Sequence, residues 1–472
     1  MGRAEGRAGT GTQENPGAEE PRTGPQEGPG AEEPRTGAQE GPGADEPSAA
    51  APFDRLVAAC EVLMSDVGEA SLRAVAGQAL TAYAELDEDA VYAFFRHVTR
   101  TYGVDADRVR DAFRRWDQAR ASGSAGDDEL VRLFDVVEPA RQQLLRRMNH
   151  APDGTYALVG MRADLRRLLP AHPELRALDH DFLHLLGSWF NRGFLRMAEV
   201  TWPAPPELRE RLLRGEKVHP MANQDELRRR VEPADRRVYA FFHPATGDVP
   251  LIFVEVALVD GLPDRIAPLL APAPALDPTQ ADTAALYSIN NALDGLAGVS
   301  FGSFLIKQVI ENVGEQLPNL TRFATLSPLP GFRAWLTDQA VRDAELRSLA
   351  EELAEVRPDA PDRLAPASAA RLLRAAARYI ALERRADGRP LDPVARFHLG
   401  NGAAAWRVNW PADLSASGWE QSYGVMVNYH YEPGELERRH EEFVRDGTVA
   451  VGGPLRAVLA DTEGTEGTEG TG

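Results

Sequence analysis

Apolar residues recur at three-and-four spacing from Ala51 to about Trp202, with charges between them, as in Phe53-Asp-Arg-Leu-Val57, Leu80-Thr-Ala-Tyr-Ala84 and Leu130-Val-Arg-Leu-Phe134. That spacing predicts helices whose apolar stripes pack together as a bundle. Gly103, the Gly123 to Gly126 stretch and Asp153-Gly154 mark the turns, and Pro203-Ala-Pro-Pro206 breaks the pattern. After His219 the rhythm changes. Arg237–Phe242 and Pro250–Leu258 are β-rich runs separated by a turn at Thr246-Gly-Asp248, and Ala285–Ile289, Arg322–Leu326 and Gly424–Tyr429 also suit strands. Helices are expected over Phe304–Gln316 and within Arg342–Arg385. Strands alternating with helices predict an α/β domain with helices covering a mixed sheet. The expected organisation is therefore a helical domain over 51–202, a mixed-sheet domain over 203–458, and tails at 1–50 and 459–472.

One segment joins the two periodicities. Gly295-Leu-Ala-Gly-Val-Ser-Phe-Gly-Ser-Phe-Leu-Ile-Lys-Gln-Val-Ile310 follows the strand-like Ala285–Ile289 and opens into the Phe304–Gln316 helix. A strand, a turn carrying Gly298 and Gly302, and a helix start leave backbone N–H groups unpaired beside the positive end of a helix dipole, which suits a phosphate. A tight turn built for close packing explains the same glycines.

Composition changes the picture mainly at the ends. The formal charge is −20, but residues 1–50 hold ten acidic against four arginine side chains, and the chain from Asp461 on adds four acids and no base. Half of the charge thus lies in the tails. A Pro-Gly-Ala-acid-Glu-Pro unit repeats from Pro16, Pro29 and Pro42, and such a string carries no apolar face to bury; it is expected to be disordered. The mildly acidic remainder argues against a broad nucleic-acid surface. Lys217 and Lys307 are the only lysines, and the Ala, Gly, Pro, Asp and Arg usage fits a high-GC bacterial coding bias. The single cysteine, Cys60, sits in an apolar helical run and reads as a core residue. No segment reaches the ~18 apolar residues of a membrane span. No secretory or organelle signal is evident, so the expected location is the cytoplasm.

Two polar residues stand out among the candidates for chemistry. His180 and His184 have the spacing of paired metal ligands, but no third ligand follows, so no metal is expected. His398 lies in Arg396-Phe-His-Leu-Gly-Asn-Gly402, a polar ring among apolar neighbours before an Asn-Gly turn. Ser327 ends an apolar strand in Thr325-Leu-Ser-Pro-Leu-Pro-Gly-Phe332, where Pro328 and Pro330 are expected to stop the sheet. A strand end is where α/β proteins place ligands. A satisfied core histidine and an ordinary capping serine explain the same residues. No Gly-x-Ser-x-Gly elbow surrounds Ser327, which argues against a serine hydrolase.

Taken in order, Val218-His-Pro220, Arg236–Pro244, Leu286–Ile289, the Gly295 turn, Leu326–Phe332, Phe397–Ala403 and Ser422–Tyr429 resemble malonyl-CoA decarboxylases. The resemblance covers about residues 200–450, with a helical region before it. It implies an all-helical N-terminal domain and a catalytic domain of the GNAT-like, acetyltransferase type. The implied reaction is decarboxylation of malonyl-CoA to acetyl-CoA and CO2, a step of fatty-acid metabolism. No cofactor is implied, because the thioester is itself the electron sink. The segment matching Ala297, Gly298, Val299, Ser300, Phe301, Gly302 and Ser303 is implied to bind the coenzyme A pyrophosphate, and the family's catalytic serine and histidine fall on Ser327 and His398. Asn428 and Tyr429 are candidates for positioning the thioester. Ala292, Leu293 and Gly400 depart from the family pattern. A GNAT-type acyltransferase, a methylmalonyl-CoA decarboxylase and a non-catalytic acyl-CoA-binding protein remain open alternatives, and a homo-oligomer is an expected assembly.

Overall fold

The expected turns at Gly103, Gly123 to Gly126 and Asp153 separate real helices. A computed structural model describes residues 51–463 except 67, 124, 125 and 300–303. The repeat segment 1–50 and the chain after 463 lie outside the described residues. Among the described residues, eight α-helices run from Pro52–Met64 to Arg176–Trp189. Their inward faces meet in one cluster that includes Leu56, Phe94, Phe95, Leu144, Leu158, Leu165 and Phe182. Cys60 is buried there, and burial pushes its thiol up to about 12, so it is a core residue rather than a nucleophile. No helix among the described residues is long and apolar enough to cross a membrane.

The sheet begins earlier than the Pro203 break. β1 (Arg196–Glu199) pairs antiparallel with β2 (Arg236–Phe242), which pairs with β3 (Pro250–Val259), which pairs with β4 (Thr283–Asn291). β3 up to Leu258 and the first six residues of β4 are buried continuously, as expected of strands covered on both faces. β4 then pairs in parallel with β5 (Arg322–Thr325), and the Phe304–Gln316 helix makes the crossover. Leu305, Ile306, Val309, Ile310 and Val313 form that helix's buried stripe. The last helix, Gly453–Glu463, reaches past the expected boundary at 458. Val159, Leu186 and Phe190 of the helical region belong to the sheet's own core cluster, and both regions lie in one compact unit.

The sheet then opens. Parallel pairing of β4 and β5 covers only Thr283–Leu286 against Arg322–Thr325, and the Leu326 amide makes a last bond to the Leu286 carbonyl. Beyond that point β4 continues beside β3 alone, while the other strand continues as β6 (Ser327–Pro328) against β8 (Met426–Tyr431). β7 (Ala404–Asn409) covers the far side of β8. The expectation that Pro328 stops the sheet needs correction here. Pro328 pairs with Met426 because its other edge has lost β4, so a missing N–H on that side costs no ladder bond. The seam between β4 and β6 is the opening in which the site lies.

Candidate active site

A cleft of about 650 Å³ occupies the seam. One lip is Leu286, Tyr287, Ile289 and Asn291 of β4, and the other is Ser327 and Pro328 of β6. The start of the crossover helix contributes Leu305 and Ile306, the preceding turn contributes Gly298 and Val299, and the Pro393–Gly400 helix contributes Phe397 and His398. Arg389, Arg396 and His440 also line it, so its polar rim suits an anionic ligand.

His398 is placed by a well-terminated helix. Asp392 caps the start, its Oδ1 accepting from the Ala395 amide at 2.7 Å, with Pro393 at the first helical position. At the other end the Gly402 amide bonds the Leu399 carbonyl and the Ala403 amide bonds the His398 carbonyl. That pair of bonds, with Gly402 at φ 82°, is a Schellman stop. The imidazole between these ends is 3% exposed. Its Nε2 lies 2.9 Å from Ser327 Oγ, its Nδ1 lies 2.8 Å from the Tyr431 hydroxyl, and its face stacks on Tyr429 with centroids 4.6 Å apart. Ser327 Oγ also lies 2.9 Å from Thr325 Oγ1, which accepts from the Tyr429 amide. One proton assignment serves both ring nitrogens and the serine: Tyr431 O–H to Nδ1, Nε2–H to Ser327 Oγ, and Ser327 O–H to Thr325 Oγ1.

Burial holds the ring neutral. Taking the imidazole out of water lowers its pKa to about 3, and no carboxylate among the described residues stands beside it to favour the cation. The opposite displacement occurs at the helix start. Asp392 is fully buried, and its Oδ2 has no hydrogen-bond partner among the described residues. Burial raises its carboxyl to about 7, against the pull of the Ala395 amide and Arg396. Between its ordinary 3.8 and about 7 the folded chain keeps a proton that the unfolded chain releases, so Asp392 costs stability as pH rises through that window. The Asp392→Asn variant, which keeps the capping oxygen, is expected to match the wild type more closely at pH 4.5. At pH 8 it should exceed it in unfolding free energy by an amount on the order of 2–4 kcal/mol. Urea unfolding at the two pH values measures this; an equal difference at both would refute it.

The sequence-selected residues fall into three groups. Ser327 and His398 meet inside the cleft. Gly298 and Val299 line it, whereas Ser300, Phe301, Gly302 and Ser303 lie outside the described residues. Within the described half of the turn the supply of free amides is smaller than expected, because Ala297 N–H bonds the Asp294 carbonyl and Val299 N–H bonds that of Leu296. Asn428 and Tyr429 are fully buried and are not cleft-lining residues. Asn428 spends its amide on the Thr325 and Pro263 carbonyls and on Arg407 and Asn409, tying β8 to its neighbours.

Sequence reasoning passed over Thr325 and Tyr431. The available signal was strand alternation, which puts Tyr429 and Tyr431 on the same face of β8.

A helical region followed by a mixed sheet, open at its parallel pair over a buried serine–histidine pair, defines the class: an α+β protein with a cleft at the opening of its sheet. The Malonyl-CoA decarboxylase C-terminal domain matches residues 193–468, and the Malonyl-CoA decarboxylase N-terminal domain matches residues 102–190. The crystal structure of malonyl-CoA decarboxylase from Rhodopseudomonas palustris is similar with a TM-score of 0.79 and 44% identity, covering 86% of this chain and 99% of that one. The enzyme from Agrobacterium vitis gives 0.76 and 41% over the same shares. The mitochondrial malonyl-CoA decarboxylase of Anser anser anser is 32% identical over 370 residues, 71% of this chain and 73% of that protein. The chain belongs to the malonyl-CoA decarboxylase family.

Proposed function

We propose that this protein converts malonyl-CoA to acetyl-CoA and CO2 through a thioester enolate, with Ser327 and His398 as the catalytic pair. The observation that carries the reading is the buried Ser327–His398 contact at 2.9 Å inside the same cleft that Gly298 and Val299 line. A coenzyme A thioester whose diphosphate rests at the glycine turn would run along the seam and present its acyl end to that pair. Loss of CO2 leaves an electron pair that flows into the thioester carbonyl, so donors aimed at the developing oxyanion lower the barrier. Ser327 supplies such a donor when its hydroxyl turns from Thr325 toward the bound thioester.

The neutral resting imidazole gives the proton step a definite order. The malonyl carboxylate brings a negative charge into a dry site, and an opposite charge within ~4–6 Å favours the protonated ring. His398 therefore takes up a proton with the substrate, its Nε2–H pointing at Ser327 and its Nδ1–H at Tyr431. After CO2 departs, the imidazolium passes its proton by way of Ser327 to the α-carbon, and acetyl-CoA leaves with the ring neutral again. Carbon, charge and protons balance: one malonyl thioester and one proton give one acetyl thioester and CO2. Tyr429, stacked on the ring, and Tyr431 hold its plane. The cytoplasmic setting, resting on a chain with one cysteine, is part of the same proposal.

Incubation with malonyl-CoA in D2O, with and without an added amine acceptor, tests the scheme. The expected products are CO2 and acetyl-CoA carrying one deuterium in its methyl group, at a rate the acceptor does not change. Acyl transfer to the amine, or tight binding without any product, would replace this reading with a transferase or a binding protein.

A further inference from the structure

The glycine turn is gripped from outside its own domain. The Gly154–Leu168 helix of the helical region approaches so closely that a Cβ on Gly295 would lie 1.8 Å from the Val159 carbonyl oxygen. No side chain fits there, which explains a glycine at 295 without any appeal to φ. One turn further along the same helix stands Arg162, 1% exposed. Its Nε donates to Asp179 Oδ1 at 2.8 Å, and its Nη1, which has two hydrogens, donates to the carbonyls of Gly295 at 2.7 Å and Ala297 at 2.9 Å. Arg166 of the same helix adds a longer bond to the Ala297 carbonyl at 3.4 Å. A guanidinium is suited to this because its fork presents several donors in a fixed plane.

We infer that Arg162 is a positioning residue through which the helical region aims the Gly298 amide at a phosphate in the cleft. The geometry follows from the peptide unit. In a trans peptide the carbonyl of one residue and the N–H of the next point in opposite directions. Holding the Ala297 oxygen toward Arg162 therefore turns the Gly298 N–H away from the helical region. Gly298 lines the cleft, and its amide makes no backbone hydrogen bond among the described residues, unlike those of Ala297 and Val299 on either side. The left-handed φ of 82° at Gly298 carries the chain past this point at no cost to a residue without a Cβ. Arg162 thus fixes the orientation of one donor, free among the described residues, at the wall where the diphosphate is proposed to rest. The inference depends on the coenzyme A reading above, and it assigns the helical region a part in substrate affinity.

Substrates with and without phosphates separate this role from plain structural support. The Arg162→Met variant is expected to raise KM for malonyl-CoA roughly tenfold or more while kcat stays within about twofold. The kcat/KM for malonyl-pantetheine, which has no phosphate, should be unchanged. The Arg141→Met variant is the control: Arg141 is also a buried arginine of the helical region, but it pairs with Asp181 within that region. It should lower the thermal midpoint and leave the ratio of the two substrates' kcat/KM as in the wild type. If Arg162→Met does not fold, Arg162→Lys, which keeps the charge but loses the fork, decides the question by a smaller rise in KM for malonyl-CoA alone. An unchanged KM for malonyl-CoA, or an equal loss for both substrates, would overturn the inference. A wild type that turns over neither substrate would instead overturn the proposed function.

Discussion

The His398→Ala variant is expected to lose at least ~10²-fold in malonyl-CoA turnover while binding coenzyme A nearly as well as the wild type. Among the described residues the ring is the only group that contacts both Ser327 Oγ and the Tyr431 hydroxyl, so its removal breaks the proposed proton path at its middle. The end of the cleft at Gly298 and Val299, where the nucleotide is proposed to rest, belongs to a different segment and stays in place. Truncating a fully buried ring also leaves a cavity and strands two hydroxyls, so the thermal midpoint should fall too. Steady-state kinetics with a parallel coenzyme A titration separates the effects. Turnover within a few-fold of the wild type, in a variant that remains folded, would remove His398 from the mechanism.

The second large effect is one of backbone. Gly402→Ala is expected to destabilise the fold by more than about 3 kcal/mol, enough to shift the thermal midpoint by several degrees or to prevent folding. Two independent causes act together. Gly402 has φ 82°, which side chains rarely adopt, and a Cβ there would lie 2.1 Å from the Leu436 carbonyl oxygen and 2.8 Å from its carbonyl carbon. The obstacle is backbone, so no rotamer change relieves it. Because the Gly402 and Ala403 amides cap the His398 helix, any variant that folds should also lose activity by displacing the imidazole. Gly400→Ala is the contrast, since its Cβ would meet the Phe443 ring at 3.5 Å, an ordinary contact. Its stability should stay within about 1 kcal/mol of the wild type. Equal effects at 400 and 402 in thermal unfolding would refute the steric account.

Much of the architecture was legible because local signals agreed. Three-and-four spacing is produced by a helix packing one face, and the runs Arg237–Phe242 and Pro250–Leu258 are β-branched and aromatic, so both classes of element stood in the right order. The short strands were less visible. β1 and β7 have partly exposed patterns, and β6 is two residues long with a proline, so neither period nor propensity marks them. The Pro393–Gly400 helix was hidden in the same way: eight residues with a proline and a glycine at the ends are too few to show a helical period, although the Asn401-Gly402 turn after it was plain.

The sequence by itself determined the order of the two regions, the glycine turn before the crossover helix, and the two residue types, a strand-end serine and a histidine among apolar neighbours, that bear the candidate chemistry. Each depends on periodicity or turn chemistry that neighbouring residues impose on one another. Only the tertiary structure decided that Ser327 and His398, 71 positions apart, touch at 2.9 Å, that Tyr431 closes the far side of the ring, and that β4 parts from β5 to open a cleft. It alone decided that a buried arginine from the helical region holds the turn. The depressed basicity of the imidazole belongs with these, because desolvation is set by what distant segments exclude from around a group.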